Sequence, residues 1–236
     1  MRLRKSFVQG KRSGRGGFTL AEVLVTLGII GVVAAMTLPA LITKNQNKAL
    51  EAGLKKNYSV ILQAFEMYQA QHGERLKPEI IGGATSNTGL KAQIMPYFKI
   101  LVDCGLSGMD KQRQCAYVNH PYKTYNGSKL SIAKFDDGQF VLQDGSLILI
   151  EDMVGGRDKL ISVDVNGRNK NPNKWGHDIF TFEITKDGAI IPSGGPSSSY
   201  KNKTQYCSIN STDSYNGIGC TYYALNDKDY FNNLPR

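Results

Sequence analysis

The amino-acid sequence predicts an α+β fold. One long N-terminal helix, apolar in its first half and amphipathic in its second, packs on an antiparallel β-sheet that ends in a C-terminal disulfide loop. Three observations predict it. Residues 18–42 form a run of 25 residues in which Glu22 is the only charged side chain, and a helix of about 20 apolar residues crosses a bilayer. Leu50, Leu54, Tyr58, Ile61, Phe65 and Tyr68 then recur at spacings of three and four, an apolar stripe on one helix face. From Lys129 the texture changes to alternating apolar and polar residues punctuated by Asp-Gly pairs, the pattern of strands and tight turns.

The elements follow in order. Residues 1–17 read as a processed basic leader rather than as structure. Residues 18–42 are a transmembrane helix, and Pro39 kinks that helix without ending it. Residues 43–72 continue it as an amphipathic helix that Gly73 stops. At 1.5 Å per residue, Thr19 to Gln71 spans roughly 80 Å. Residues 73–236 form the globular head. Within it, Leu90, Ile94, Tyr97, Phe98 and Leu101 suggest a short helix interrupted near Pro96. Three or four antiparallel strands come next, with turns at Asp137-Gly138, Asp144-Gly145 and Asp187-Gly188, and one sheet face is left to pack on the helix. "PSGGPSSS" at 192–199 reads as a flexible connection.

Charge and cysteine usage narrow the function classes. The net charge is +9, but residues 1–17 hold six basic residues and no acid, leaving 23 basic against 20 acidic beyond them. Basicity concentrated before an apolar run marks the cytoplasmic side of a membrane anchor, not a nucleic-acid surface, so nucleic acid is not an expected partner. Cys104, Cys115, Cys207 and Cys220 fall into two local pairs without a Cys-x-x-Cys. Three pairings exist in principle; proximity favours 104–115 with 207–220, in an oxidising compartment rather than around zinc. No H-E-x-x-H, G-x-S-x-G or phosphate-binding glycine loop occurs, and His72, His120 and His177 are isolated. They read as surface or turn residues, and no enzyme is expected.

"GGFTLAEVLVTLGIIGVVAAMTLPALI" closely resembles the N-terminal signal of type IV pilins and type II secretion pseudopilins. The matching features are a short basic leader ending in Gly17, then Phe18, Thr19, Leu20 and Glu22, then the apolar helix with Pro39. The resemblance implies a pilin-like fold in a bacterial inner-membrane, single-pass protein with its C-terminal domain outside the cytoplasm, later part of a pilus or pseudopilus. It implies that a prepilin peptidase cuts between Gly17 and Phe18 and N-methylates Phe18. Further implied partners are copies of the chain, related pilin subunits and an inner-membrane assembly platform. Glycine at 17 lets an extended backbone enter a protease cleft. The cut creates an α-amine at Phe18, four residues from Glu22, and in a packed array the Glu22 carboxylate of one subunit neutralises the Phe18 amine of a neighbour. An unpaired charge in an apolar core is strongly disfavoured, so such a pair sets register.

Two other functions compete with a structural filament subunit. One is a minor or competence pilin that binds DNA or a surface ligand through the C-terminal loop. The other is a membrane-tethered extracytoplasmic binding protein that never polymerises. No cofactor is expected beyond one cation. Asp164, Asn166 and Asp178 in "DVNGRNKNPNKWGHD" offer oxygen atoms of the kind Ca²⁺ takes, and some pseudopilins hold calcium in a loop at the end of the sheet. The stretch is not an EF-hand, because Trp175 stands where the twelfth-position Glu would be. Asp and Asn also stabilise turns through their own backbones. Trp175 reads as a packing anchor.

Overall fold

A computed structural model describes residues 17–106, 115–116, 122–152 and 159–235. Leader residues 1–16, His120 and the tip of the first cysteine loop lie outside the described residues. The chain divides into two compact units, Met1–Lys44 and Asn45–Arg236.

A single helix, α1, runs Leu20–His72 through Pro39 without a break. It begins two residues after Phe18, with Thr19 just outside it. Gly73 ends it in the left-handed region (φ +79°), which an L side chain rarely adopts. Within the second unit, Leu54, Asn57, Ile61, Ala64, Phe65 and Tyr68 of α1 are buried. Leu54 and Ile61 are wholly buried, and the Tyr58 ring stacks on Phe182 at 4.9 Å. Where Gly53 passes the sheet, a Cβ would meet Val165 at 3.3 Å.

After α1 come α2 (Leu90–Ile94) and strands β1 (Ile100–Asp103), β2 (Gly138–Leu142), β3 (Leu147–Asp152), β4 (Lys159–Asp164), β5 (Ile179–Ile184) and β6 (Ile190–Pro192). Two short helices, α3 (Lys203–Tyr206) and α4 (Thr221–Asn226), follow. The six strands form one antiparallel sheet in chain order, so each neighbour is reached by a local connection. The long helix, the antiparallel sheet and the C-terminal disulfide make a pilin-like α+β fold.

Several sequence expectations change. The sheet has six strands, not three or four. Pro96 ends α2 in a 3-10 turn, and Leu101, expected on that helix, lies exposed on β1. Asp144-Gly145 turns β2 into β3 and Asp187-Gly188 turns β5 into β6, as expected. Asp137-Gly138 instead leads into β2, with Gly138 paired to Ile150 across the ladder. Glycine is needed there for close approach, since a Cβ would lie 2.8 Å from Lys91 Cδ. Residues 192–199 are not a loose connection: Ser198 Oγ donates to the buried Glu183 carboxylate, which also accepts Ser199 N at 2.8 Å.

Both sheet faces are covered. Phe140, Ile148, Ile161, Phe180 and Phe182 share one buried cluster with α1. Val141, Leu149, Leu160 and Ile179 share the other with Tyr122, Phe135, Trp175 and Ile218, side chains from loops. Two polar residues on that second face pair there: Ser162 and Thr181 bond at 2.7 Å, and Trp175 Nε1 donates to Thr181 at 3.1 Å. Cys104 is bonded to Cys115 and Cys207 to Cys220.

Candidate functional site

At its first turn α1 is closed by two side chains. Thr19 N and Thr19 Oγ1 both donate to Glu22 Oε2 at 2.8 Å, and Glu22 N donates back to Thr19 Oγ1 at 3.2 Å. The first N–H groups of a helix have no partner within it, and Thr-x-x-Glu supplies one reciprocally. The Thr-x-x-Glu spacing is itself the sequence signal of this cap.

Beyond this cap, as far as Ile42, the helix exposes mostly apolar side chains, with Thr26 and Thr37 returning their hydroxyls to backbone carbonyls. Phe18 is 89% exposed, Leu20 78% and Met36 75%, and no side chain from 18 to 42 is buried. Among the described residues, α1 is the one helix long and apolar enough to cross a membrane. A continuous exposed apolar surface of that size marks a membrane or a protein partner. Within this unit the fold does not explain the glycines: a Cβ at Gly17, Gly28 or Gly31 would meet no atom within 4 Å. Each glycine inside a helix costs about 1 kcal/mol relative to alanine. At Gly28 and Gly31, small residues let another helix approach closely in a membrane. Pro39 removes one backbone bond within this stretch, and Thr43 Oγ1 donates to its carbonyl at 3.0 Å.

The β4–β5 loop brings the three expected oxygen-bearing residues together. Asp164 closes β4 and Asp178 precedes β5, both wholly buried. Asp178 accepts Asn173 N at 2.8 Å and Lys174 N at 2.7 Å. Tyr122 OH donates to Asp164 Oδ2 at 3.4 Å. Burial, and secondarily the Asp178 charge, push the Asp164 carboxyl well above its usual range. Burial raises Asp178 as well. Asp164 Oδ1, Asn166 Oδ1 and Asn173 Oδ1 are buried without a hydrogen-bond partner. Hard oxygen atoms from carboxylates and amides are the donor set of Ca²⁺, so these residues fit the ion. Asn173 was not foreseen, because an Asn beside Pro172 reads first as a turn residue.

Elsewhere, Asp136, Asp137 and Glu151 hold carboxylate oxygens within 4.8 Å of one another. Burial and then the Asp137 charge raise Glu151 to about 8. His177 is a turn residue, as expected, but a buried one, and burial lowers it to about 3. His72 stacks on Tyr68 at 4.1 Å.

The helix, exposed and apolar over residues 18–42 behind a Gly-Phe-Thr-x-x-Glu start, and the helix-on-sheet head make a fold of the pilin and pseudopilin type. Residues 12–38 match the family model described as the prokaryotic N-terminal methylation motif, the signal of that type. It implies processing by a prepilin peptidase and incorporation into a filament. No curated protein and no solved structure matches the chain.

Proposed function

We propose that this chain is a structural filament subunit, cut between Gly17 and Phe18, methylated on Phe18 and assembled into a secretion pseudopilus or a type IV pilus. It serves protein secretion, adhesion or motility and performs no chemistry on a substrate. The observation that carries the reading is the methylation motif at residues 12–38 together with a helix whose apolar surface is exposed among the described residues.

Before assembly the subunit sits in the inner membrane as a single span, its disulfide-bonded head outside the cytoplasm, where disulfides persist. Peptidase cleavage leaves the whole apolar helix on the mature chain. The assembly platform then lifts that helix into a bundle of like helices. There the Phe18 amine of one subunit meets the Glu22 carboxylate of another. In that dry core an unmatched charge is costly, so only the offset that pairs them is stable. Pro39 lies within the same stretch, at a site where neighbouring helices can compensate the missing backbone bond.

Mass spectrometry of the N-terminal peptide from the native membrane tests this. A chain beginning at N-methylated Phe18 supports processing and makes assembly the working function. A chain beginning at Met1, or beyond Ala35, lacks the amine that Glu22 needs, and a tethered or secreted domain takes its place.

A further inference from the structure

Three acids crowd together at the end of the sheet where β2 begins and β3 finishes. Carboxylate oxygens of Asp136, Asp137 and Glu151 lie within 4.8 Å of one another. Asp136 and Asp137 stand just before β2, and Glu151 lies at the end of β3 opposite Leu160. The β4–β5 loop is at the other end of the sheet, where Asp164 pairs with Leu147 at the start of β3. Like charges this close repel unless a counter-charge lies between them. Two orphaned acceptors beside the acids point to a cation. Glu151 Oε2 is buried with no hydrogen-bond partner among the described residues. Gln139 Oε1 is in the same state, on a wholly buried side chain. Gln139 pairs with Leu149 on the ladder, so it shares a sheet face with Glu151 and is its diagonal neighbour. Its Nε2 donates to Phe135 O at 2.9 Å, which turns the carboxamide towards the segment that carries Asp136 and Asp137. A buried carboxamide held by its nitrogen presents its oxygen to a donor or an ion.

The neighbouring cationic groups are engaged elsewhere. Lys134 Nζ lies 3.0 Å from the centre of the Tyr215 ring, and its charge is shared between Glu151 and Asp213. Lys159 is ion-paired with Asp152, which also accepts Leu90 N at 3.0 Å. Asp137 gives one oxygen to Asp152 N at 2.7 Å, which fixes its carboxylate in place. A lysine shared in this way does not balance three carboxylates.

We propose that Asp136, Asp137, Gln139 and Glu151 hold a divalent cation that clamps the entry to β2 against the end of β3. Carboxylate and carboxamide oxygens are hard donors, so the ion belongs to the class of Mg²⁺, Mn²⁺ and Ca²⁺ rather than to metals that seek thiolate or imidazole. The assignment concerns the head alone and does not depend on the filament reading. Its structural consequence runs through Phe135, the residue before the acids. That ring is buried and meets Trp175 edge-on at 5.3 Å and Tyr122 at 5.8 Å. An ion held at Asp136 and Asp137 therefore steadies the loops that cover the second sheet face.

The test uses the full chain in detergent micelles, stripped of metal with EDTA and titrated in turn with MgCl₂, MnCl₂ and CaCl₂ by calorimetry. Trp175 is the single tryptophan, and its emission is recorded alongside. The expected result is saturable binding of one of these ions at or below millimolar concentration, with a changed Trp175 emission and a raised unfolding temperature. Glu151→Gln removes one negative charge, and Gln139→Met removes the carboxamide at similar length. Each should weaken this binding about tenfold or more, while the far-ultraviolet spectrum of the metal-free variant matches that of the parent. Should a second ion bind at the β4–β5 loop, Glu151→Gln is expected to spare that event. Binding left entirely unchanged by Glu151→Gln places the ion elsewhere and overturns the site. No heat with any of the three ions at millimolar concentration overturns it as well, and leaves Lys134 as the compensating charge. Parent affinity in Gln139→Met would overturn the role of Gln139.

Discussion

The Glu22 carboxylate reaches back to Thr19 through one oxygen, Oε2, and among the described residues no group hydrogen-bonds its Oε1. One carboxylate is therefore able to serve two partners, its own helix start and the amine of a neighbouring subunit. In the membrane the Thr19 bonds keep the acid from standing bare, which matters where a lone charge costs roughly 2.5–3.5 kcal/mol even on insertion scales.

These two roles separate by mutation. Glu22→Ala is expected to be cleaved and methylated normally but to yield no sheared filaments. Thr19→Ala loses a helix cap, an effect of about 0.5–2 kcal/mol, and should assemble at reduced yield, with Thr19→Ser restoring it. Immunoblots of sheared fractions beside N-terminal mass spectra make the measurement. Wild-type filament yield from Glu22→Ala would sink the pairing.

The contact between the amphipathic half of α1 and the sheet should dominate the stability of the head. Leu54 is wholly buried in it, while Met67 on the same helix is 54% exposed. Leu54→Ala is expected to cost about 2–5 kcal/mol, and Met67→Ala to stay within about 0.5 kcal/mol. Denaturant unfolding of the full chain in micelles compares the two. Equal losses would mean that this helix face does not carry the core.

The Cys207–Cys220 bridge closes a separation of 13 residues with Cys220 wholly buried. Cross-links of that size stabilise by about 3 kcal/mol, mainly by restricting the unfolded chain. Cys207→Ser with Cys220→Ser should lower the unfolding midpoint by that amount, and the same pair of changes is expected to expose Trp175 to quencher. An unchanged midpoint would show that packing alone holds the tail.

Glu151 supplies a pH dependence of defined sign. Its acid is raised from the usual 4.5 to about 8, first by burial and then by the charges of Asp137 and Asp136, with Lys134 acting the other way. The folded chain therefore binds this proton more tightly than the unfolded chain does. Its contribution to stability is fully present below pH 4.5 and is lost as pH rises through about 8. Glu151→Gln, permanently neutral, should flatten the fall in unfolding temperature between those limits. Parallel pH profiles of parent and variant would refute the assignment.

Much of the fold was legible because the relevant signals are local. An apolar run of membrane length, a three-four stripe from Leu50 to Tyr68 and the Asp144-Gly145 turn each depend on near neighbours in the chain. The cysteine pairs were legible for the same reason, being 11 and 13 residues apart. What misled the reading was also local. Asp137-Gly138 has the composition of a turn, but its glycine answers to Lys91, distant in sequence.

The sequence by itself determined the N-terminal signal, the membrane-length helix and the presence of a β-rich head, since periodicity and composition encode them directly. Only the tertiary structure decided that both sheet faces are covered, that residues 192–199 pack on Glu183, and that Asn173 joins Asp164 and Asp178. The reason is physical. Burial of a polar group depends on which distant segments close over it, and the loops that cover the second face carry no period to announce where they will lie.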